Sequence, residues 1–176
     1  MSASGITRKR VLAAILVGWL GVIGFDFFLH GGLLAHLYIE PSDFLLPPET
    51  AFRLIPLGYL SFLLFQAFLV WVMVRTGDIT GKQGACTGLK VGAFAWGSLA
   101  LGLLSISTVG VPLMMGWFVG QTVEAALGGF IAGRTMETQH PGRVALGIFG
   151  LVVLLIAGTI LLQSFGVVPT MKLPAK

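Results

Sequence analysis

The sequence has little charge and almost no cysteine. Charged residues make up 10% of the 176 residues, whereas 56% are hydrophobic. The mean hydropathy is +0.94. So few polar side chains cannot cover a water-soluble globule of this size, and the composition therefore excludes a soluble domain. The single cysteine, Cys86, cannot form an internal disulfide and has no neighbouring ligand pattern, which excludes a disulfide framework and a cysteine-based zinc site.

Motifs of the common enzyme classes are also missing. The sequence contains no HExxH, CxxC or GxSxG and no paired catalytic carboxylates. A glycine-rich stretch differs from a phosphate-binding loop, because only three residues separate Gly77 from Gly81 and Gln83 stands where a metal-binding hydroxyl is needed. Ser98 with His30 leaves an intramembrane serine hydrolase as an alternative. The pattern favours a non-enzymatic protein and leaves enzymatic activity open.

Long apolar runs dominate what is present. A single helix from 88 to 133 would be about 69 Å long, so the chain has to turn back near Gly110 and Pro112. We therefore predict an all-α integral membrane bundle of five transmembrane helices in one domain over residues 11–168. The alternative is a four-helix core with a peripheral fifth helix. The predicted helices cover about residues 11–38, 54–75, 88–107, 112–133 and 144–166.

The basic residues indicate an orientation. Eight of them lie in the N-terminal segment 1–10 and in the second and fourth loops, against Arg53, Lys172 and Lys176 on the other side. We expect a cytoplasmic N-terminus, an uncleaved first helix and a short tail at 169–176. The expected location is the bacterial cytoplasmic (inner) membrane, with the lipid bilayer as partner. The basic residues behind the formal charge of +4 lie at the helix ends, where membrane orientation alone accounts for them, so we predict no nucleic-acid partner.

Glycines recur every fourth residue in the third and fourth predicted helices. Such spacing puts small residues on one helical face and allows two helices to approach closely. We expect these faces to pack within the chain, and an oligomer interface is the alternative. The predicted packing glycines are Gly84, Gly88 and Gly92, together with Gly116, Gly120, Gly129 and Gly133.

Five of the polar residues inside the apolar runs form the predicted buried set: Asp26, His30, Gln66, Gln121 and Glu124. An ionised carboxylate at the centre of a membrane helix costs about 2.5 to 3.5 kcal/mol on insertion scales, so these groups should face the bundle. Asp26 and His30 are one helical turn apart and share a face. Counting depth along each helix predicts two layers, with Asp26 near His30 and Gln121, and Glu124 near Gln66.

The two histidines of the first apolar run, both near its C-terminal end, leave a cofactor role open. Neutral imidazole is a common ligand, so His30 or His36 is a candidate for binding haem or a chlorin. Their separation of six residues points them in different directions, so they would not share one metal ion. We predict no cofactor and no metal site, with the histidines serving as polar anchors.

Several segments resemble a family of uncharacterised small bacterial membrane proteins of about four helices. The segments are FDFFLHGGLLAHLY, PPETAFRLIPLGYLSFLLF, GLKVGAFAWGSLALGL and GWFVGQTVEAALGGFIAG, within residues 20 to 135. The resemblance implies a membrane fold and no particular activity, and the fifth helix departs from it. The positions that it carries over are Asp26, His30, Tyr38, Gly88, Gly92, Trp117 and Glu124.

Three functions follow from this sequence. The first expectation is a non-enzymatic accessory or structural subunit of a membrane complex, or a homo-oligomer, because the loops are too short to form a domain. The second is a small proton-linked transporter that uses Asp26 and Glu124 as coupling groups. The third is an electron-transfer or pigment subunit that uses His30 or His36.

Overall fold

A computed structural model describes residues 6–38 and 44–169 of the chain. Within these residues the protein forms five α-helices and no strand, which confirms the all-α prediction with five helices. The helices are α1 (Arg8–Phe28), α2 (Pro48–Thr76), α3 (Gly81–Ile106), α4 (Val111–Glu137) and α5 (Pro141–Ser164). The predicted loop residues 39–43, and Lys172 and Lys176 of the tail, lie outside the described residues.

Four helical segments are long and apolar enough to cross a membrane, and α4 is not among them. The four segments are Arg8–Leu33, Glu49–Thr76, Gly81–Ile106 and Pro141–Ser164. Helix α4 has the largest set of buried residues in the described bundle and packs mainly against α1 and α3. Its polar residues are therefore surrounded by other helices, which is why a helix of lower hydropathy can occupy this central place.

All five helices begin before their predicted first residue, and the regular helix α1 ends at Phe28 rather than near 38, with a π-helical and a 3₁₀ turn after it. α2 begins at Pro48 rather than near 54, because proline at the first helical position loses no backbone hydrogen bond. α3 begins at Gly81 rather than near 88, because Thr80 and Gln83 form a reciprocal capping box at its start. α4 continues to Glu137, four residues beyond its predicted end. Most of the predicted polar loop between α2 and α3 is thus helical.

Two apolar clusters lie at opposite ends of the bundle. One includes Ala14, Met73 and Met136, from the start of α1 and the ends of α2 and α4. The other includes Leu113 and, at its edge, Leu103, from the start of α4 and the end of α3. Successive helices therefore run in alternating directions. We call the first end the basic end, because Arg8, Arg10, Arg75, Lys82, Arg134 and Arg143 lie in the helix turns there or next to them.

Helices α3 and α4 approach closely along the predicted glycine face. A β-carbon added at Gly88 would overlap the carbonyl oxygen of Ala125, and one added at Gly84 would overlap that of Gly129. At the basic end, the side chain of Glu137 accepts a hydrogen bond of 3.1 Å from the amide of Gly81 and pairs with Arg134. The two helices therefore form a hairpin, and contacts at Gly81, Gly84 and Gly88 fix their relative position along the helix axes.

The other predicted packing glycines also lie at helix contacts within the chain. Gly92 faces Ala125 and Thr122 across the α3–α4 contact, and Gly133 approaches the backbone of Thr80. Gly116 and Gly120 face leucine side chains from the irregular turns that follow α1. The chain itself therefore occupies these faces.

Helix α5 lies alongside α1 and makes few contacts with the rest. Gly24 of α1 faces Val152 of α5, and further along the side-chain amide of Gln163 donates a 2.9 Å hydrogen bond to the carbonyl of Gly31. The large side chains Leu146, Leu154 and those near them are mostly exposed. Helix α5 therefore belongs to the five-helix bundle through its contact with α1 and lies at the edge of that bundle.

Candidate functional site

Asp26 and His30 meet on one face of the first helical segment. The Nε2 atom of His30 lies 3.3 Å from Oδ1 of Asp26, one turn earlier. His30 sits in a π-helical turn, Leu29–Leu33, in which the amide of Leu34 bonds the carbonyl of Leu29. Such turns are rare, and they are frequent at functional sites because they redirect a side chain without ending the helix.

Tyr38 contacts the other ring nitrogen of His30, and Trp117 in turn contacts Tyr38. The Nδ1 atom of His30 lies 2.6 Å from the hydroxyl oxygen of Tyr38, and the indole N–H of Trp117 donates to that same oxygen at 2.5 Å. In an uninterrupted α-helix, residues eight apart would be about 12 Å apart along the axis. The π-helical turn and the short 3₁₀ turn Ala35–Tyr38 replace that regular path and bring the two side chains together.

Helix α4 adds Gln121 and Glu124 to this group. The side-chain amide of Gln121 lies 3.3 Å from Nε2 of His30, although the two residues are 91 positions apart in the chain. One possible ligand atom from each of Asp26, His30 and Glu124 lies within 4.8 Å of the other two. We call Asp26, His30, Gln121 and Glu124 the polar cluster.

The carboxyl group of Glu124 is buried without a hydrogen bond. The residue is 2% exposed, and neither carboxylate oxygen has a hydrogen-bond partner among the described residues. Gln121 is near enough to interact with this carboxyl, but outside hydrogen-bonding geometry. A buried carboxyl group without partners is costly, because it has lost its water and gained nothing in return. Glu124 therefore needs a proton or another cation to be stable in this position.

One of the two polar pairings predicted from depth is only partly right. Gln66 and Glu124 line the same recess, but the side-chain amide of Gln66 donates to the carbonyl of Gly128 at 3.2 Å rather than to Glu124. The two carboxyl groups also lie in one layer rather than two. Part of the error comes from α4, whose four extra residues place Glu124 about 6 Å deeper than the predicted helix end allowed. The other prediction, Asp26 near His30 and Gln121, agrees with the geometry.

A narrow recess leads to the cluster from between α2 and α3. Glu124 and Gln121 form part of its lining, and the aromatic rings of Phe62, Phe65 and Trp96 form another part. The centroids of the Phe65 and Trp96 rings are 6.4 Å apart. The recess has room for about one water molecule. It therefore leaves a water-sized space beside Glu124.

The other sequence candidates lie apart from this cluster. His36 is exposed on the 3₁₀ turn, and Ser98 is exposed on α3. Both ring nitrogens of His30 already have polar neighbours in Tyr38, Asp26 and Gln121, so Ser98 is not placed as its partner. A haem at His30 would have to displace these neighbours. Haem or chlorin binding at either histidine stays a prediction.

The sequence did not indicate that Tyr38 contacts His30 or that Trp117 contacts Tyr38. Both Tyr38 and Trp117 entered the sequence analysis only through the family resemblance. The one local signal is Gly31-Gly32 directly after His30, since two glycines weaken a regular helix and allow an irregular turn. The predicted absence of a metal site rested on the sequence spacing of histidines, and spacing cannot detect ligands contributed by two distant helices.

Comparisons with protein-family models, with curated proteins and with solved structures find no match for this chain. The resemblance to small bacterial membrane proteins thus stays a prediction.

Proposed function

We propose that the chain is a multi-pass protein of the bacterial cytoplasmic membrane with its basic end in the cytoplasm. The alternating helix directions support this, because they collect the basic helix ends on one side. An excess of Lys and Arg on one side is the usual determinant of orientation. In this arrangement the N-terminus is cytoplasmic and α4 crosses the membrane inside the bundle.

The proposed activity is that of a small proton-linked transporter with Asp26 and Glu124 as the coupling groups. One observation carries this proposal: both oxygens of the buried Glu124 lack a hydrogen bond and lie beside Asp26 and a recess. A structural role would instead surround each polar group with partners, as the Gln66 side chain has at Gly128.

The pair of carboxyl groups has the chemistry that coupling needs. Two carboxylates this close cannot both remain ionised in an apolar interior unless a cation joins them. Loss of a proton therefore has to accompany arrival of a positively charged substrate, and the reverse holds for release. Intramembrane ionisable residues that face the bundle interior commonly mark proton and ion paths.

The first expectation from the sequence, a non-enzymatic accessory or structural subunit or a homo-oligomer, is kept as the second candidate. The narrowness of the recess favours it, because a wide aqueous path would be expected in a transporter that is open to one side. Purification in mild detergent addresses this candidate, since a subunit should bring its partner proteins with it.

Proton movement in reconstituted vesicles tests the proposed function. Because loss of a proton has to accompany arrival of a cation, an inward gradient of a small cation (Na⁺, K⁺ and Zn²⁺, each in turn) should drive protons out of the vesicles, as measured with a trapped pH dye. We expect Asp26→Asn and Glu124→Gln to reduce the rate to that of protein-free vesicles. His36→Gln is the matched control, since His36 is exposed and outside the cluster, and it should keep the wild-type rate.

Two results would overturn this function. One is a wild-type rate equal to that of protein-free vesicles. The other is a rate that survives both carboxyl substitutions, because protons would then pass by another route.

A further inference from the structure

The polar cluster has the composition of a metal site. Asp26 and Glu124 each contribute a carboxylate oxygen and His30 a ring nitrogen, and these atoms lie within 4.8 Å of one another. Zinc and similar ions lie about 2.0 to 2.2 Å from such atoms, so two ligands of one ion are at most about 4.4 Å apart. Shifts of well under 1 Å would bring the three atoms around one ion.

We propose that one divalent transition-metal ion binds between Asp26, His30 and Glu124. The proposal rests on the proposed function, since it names the class of cation that this site takes. Glu124 is the independent sign of a ligand: the residue is only 2% exposed, and its carboxyl oxygens are buried without a hydrogen-bond partner among the described residues, next to Asp26 and His30.

Charge balance favours an ion with two positive charges. Two carboxylates and one neutral imidazole carry a total charge of −2, which a divalent cation cancels. In an apolar interior a neutral assembly avoids most of the cost of burying separate charges. Binding of the ion would release any protons that the two carboxyl groups carry, and this release is how metal and proton movement would be linked.

The ligand types favour a first-row transition metal over Mg²⁺ or Ca²⁺. Imidazole suits zinc, iron and nickel, and carboxylates are shared by most divalent ions, including manganese. Ca²⁺ takes six to eight oxygen ligands and Mg²⁺ keeps several waters, as a rule. The cluster offers too few oxygens for the first, and the recess has room for too little water for the second.

Tyr38 and Trp117 would orient the imidazole for this role. A histidine that binds a metal usually donates its other ring N–H to a nearby acceptor, which fixes the tautomer and the ring plane. The hydroxyl oxygen of Tyr38, 2.6 Å from Nδ1, is in the position of that acceptor. Nε2 then points its lone pair to the side of Asp26, where the ion would displace the side-chain amide of Gln121 that lies 3.3 Å away. Tyr38 is thus a positioning residue.

Cobalt binding tests the site, because Co²⁺ replaces zinc and reports its ligands through visible absorption bands. The full chain, purified in detergent and stripped with a chelator, should bind one Co²⁺ per chain. Zn²⁺ should displace Co²⁺, and an equal excess of Mg²⁺ should not. We expect Asp26→Asn, His30→Gln and Glu124→Gln each to weaken binding at least tenfold. Tyr38→Phe should weaken it by about 10- to 100-fold while leaving the stoichiometry at one.

Controls separate binding from folding and from transport. His36→Gln should bind as the wild type does, and thermal melting identifies any variant that is misfolded. A wild-type chain that binds no Co²⁺, or that keeps its affinity in all three ligand variants, would overturn the metal site. Proton flux without metal binding would overturn the metal site alone. Metal binding that needs all three ligands, without proton flux, would support the site and overturn the transporter.

Discussion

The close contact between α3 and α4 leads to a sharp prediction for Gly88→Ala. A β-carbon at Gly88 would overlap the backbone carbonyl of Ala125. Because the obstacle is backbone rather than a flexible side chain, the two helices have to move apart. Overpacking of this kind costs about 1 to 3 kcal/mol. The same substitution at Gly102, also in α3, meets nothing within 4 Å and should gain about 0.5 to 1 kcal/mol from helix propensity.

The two variants should therefore melt on opposite sides of the wild type. For a chain of this length, 1 kcal/mol changes the melting temperature by about 2 to 4 °C. Gly88→Ala should lower it by about 2 to 12 °C, and Gly102→Ala should raise it slightly. Thermal unfolding in one detergent, followed by tryptophan fluorescence, measures both. If the two variants melt at the same temperature, the helices are not in backbone contact at Gly88 and the reasoning fails.

Two further predictions concern the connection between α2 and α3. Hydrogen bonds from Thr87 and Thr76 hold the pKa of Asp78 below its usual value, so Asp78 stabilises the fold at neutral pH and loses that effect as the pH falls below about 3.8. The melting temperature of Asp78→Asn should therefore start lower than that of the wild type at pH 7, and the two should converge as the pH falls below about 3.8; parallel curves would contradict this. Thr80→Ala removes the capping box of α3 and should cost about 1 kcal/mol in thermal unfolding. Thr80→Ser, which keeps the hydroxyl, should be nearly neutral.

Hydropathy was sufficient to predict five helices and their order, since each helix coincides with an apolar run. Helix ends were harder to predict, because they depend on capping rather than on hydropathy. Thr80 and Gln83 begin α3 inside a stretch rich in glycine and polar residues, and Pro48 begins α2 inside a proline-rich one. In both places the residues that usually mark a loop are also those that begin a helix.

The polar cluster could be predicted only in part for a related reason. The spacing of Asp26 and His30 places them on one helical face, and this follows from helix geometry alone. The distance between Glu124 and Asp26 depends on which helices are neighbours and how far each one extends. Likewise, the contact between Tyr38 and His30 depends on the irregular turns between them. The regular helical period of 3.6 residues cannot predict the contact between Tyr38 and His30, because that contact forms only where the regular helix is interrupted.

The glycine contact and the polar cluster are parts of one arrangement. Ala125, whose carbonyl meets Gly88, is the residue after Glu124, so the α3–α4 contact fixes the height and rotation of Glu124. On another face of α4, Gly120 and Gly128 accommodate Leu29 and Val22 of the first helical segment, which carries Asp26 and His30. Small residues on both sides thus draw the two helices close enough for the carboxyl groups to meet away from lipid. This explains why a helix with a buried glutamate is also the one with glycines on more than one face: larger residues at these positions would separate the helices and expose Glu124 to hydrocarbon.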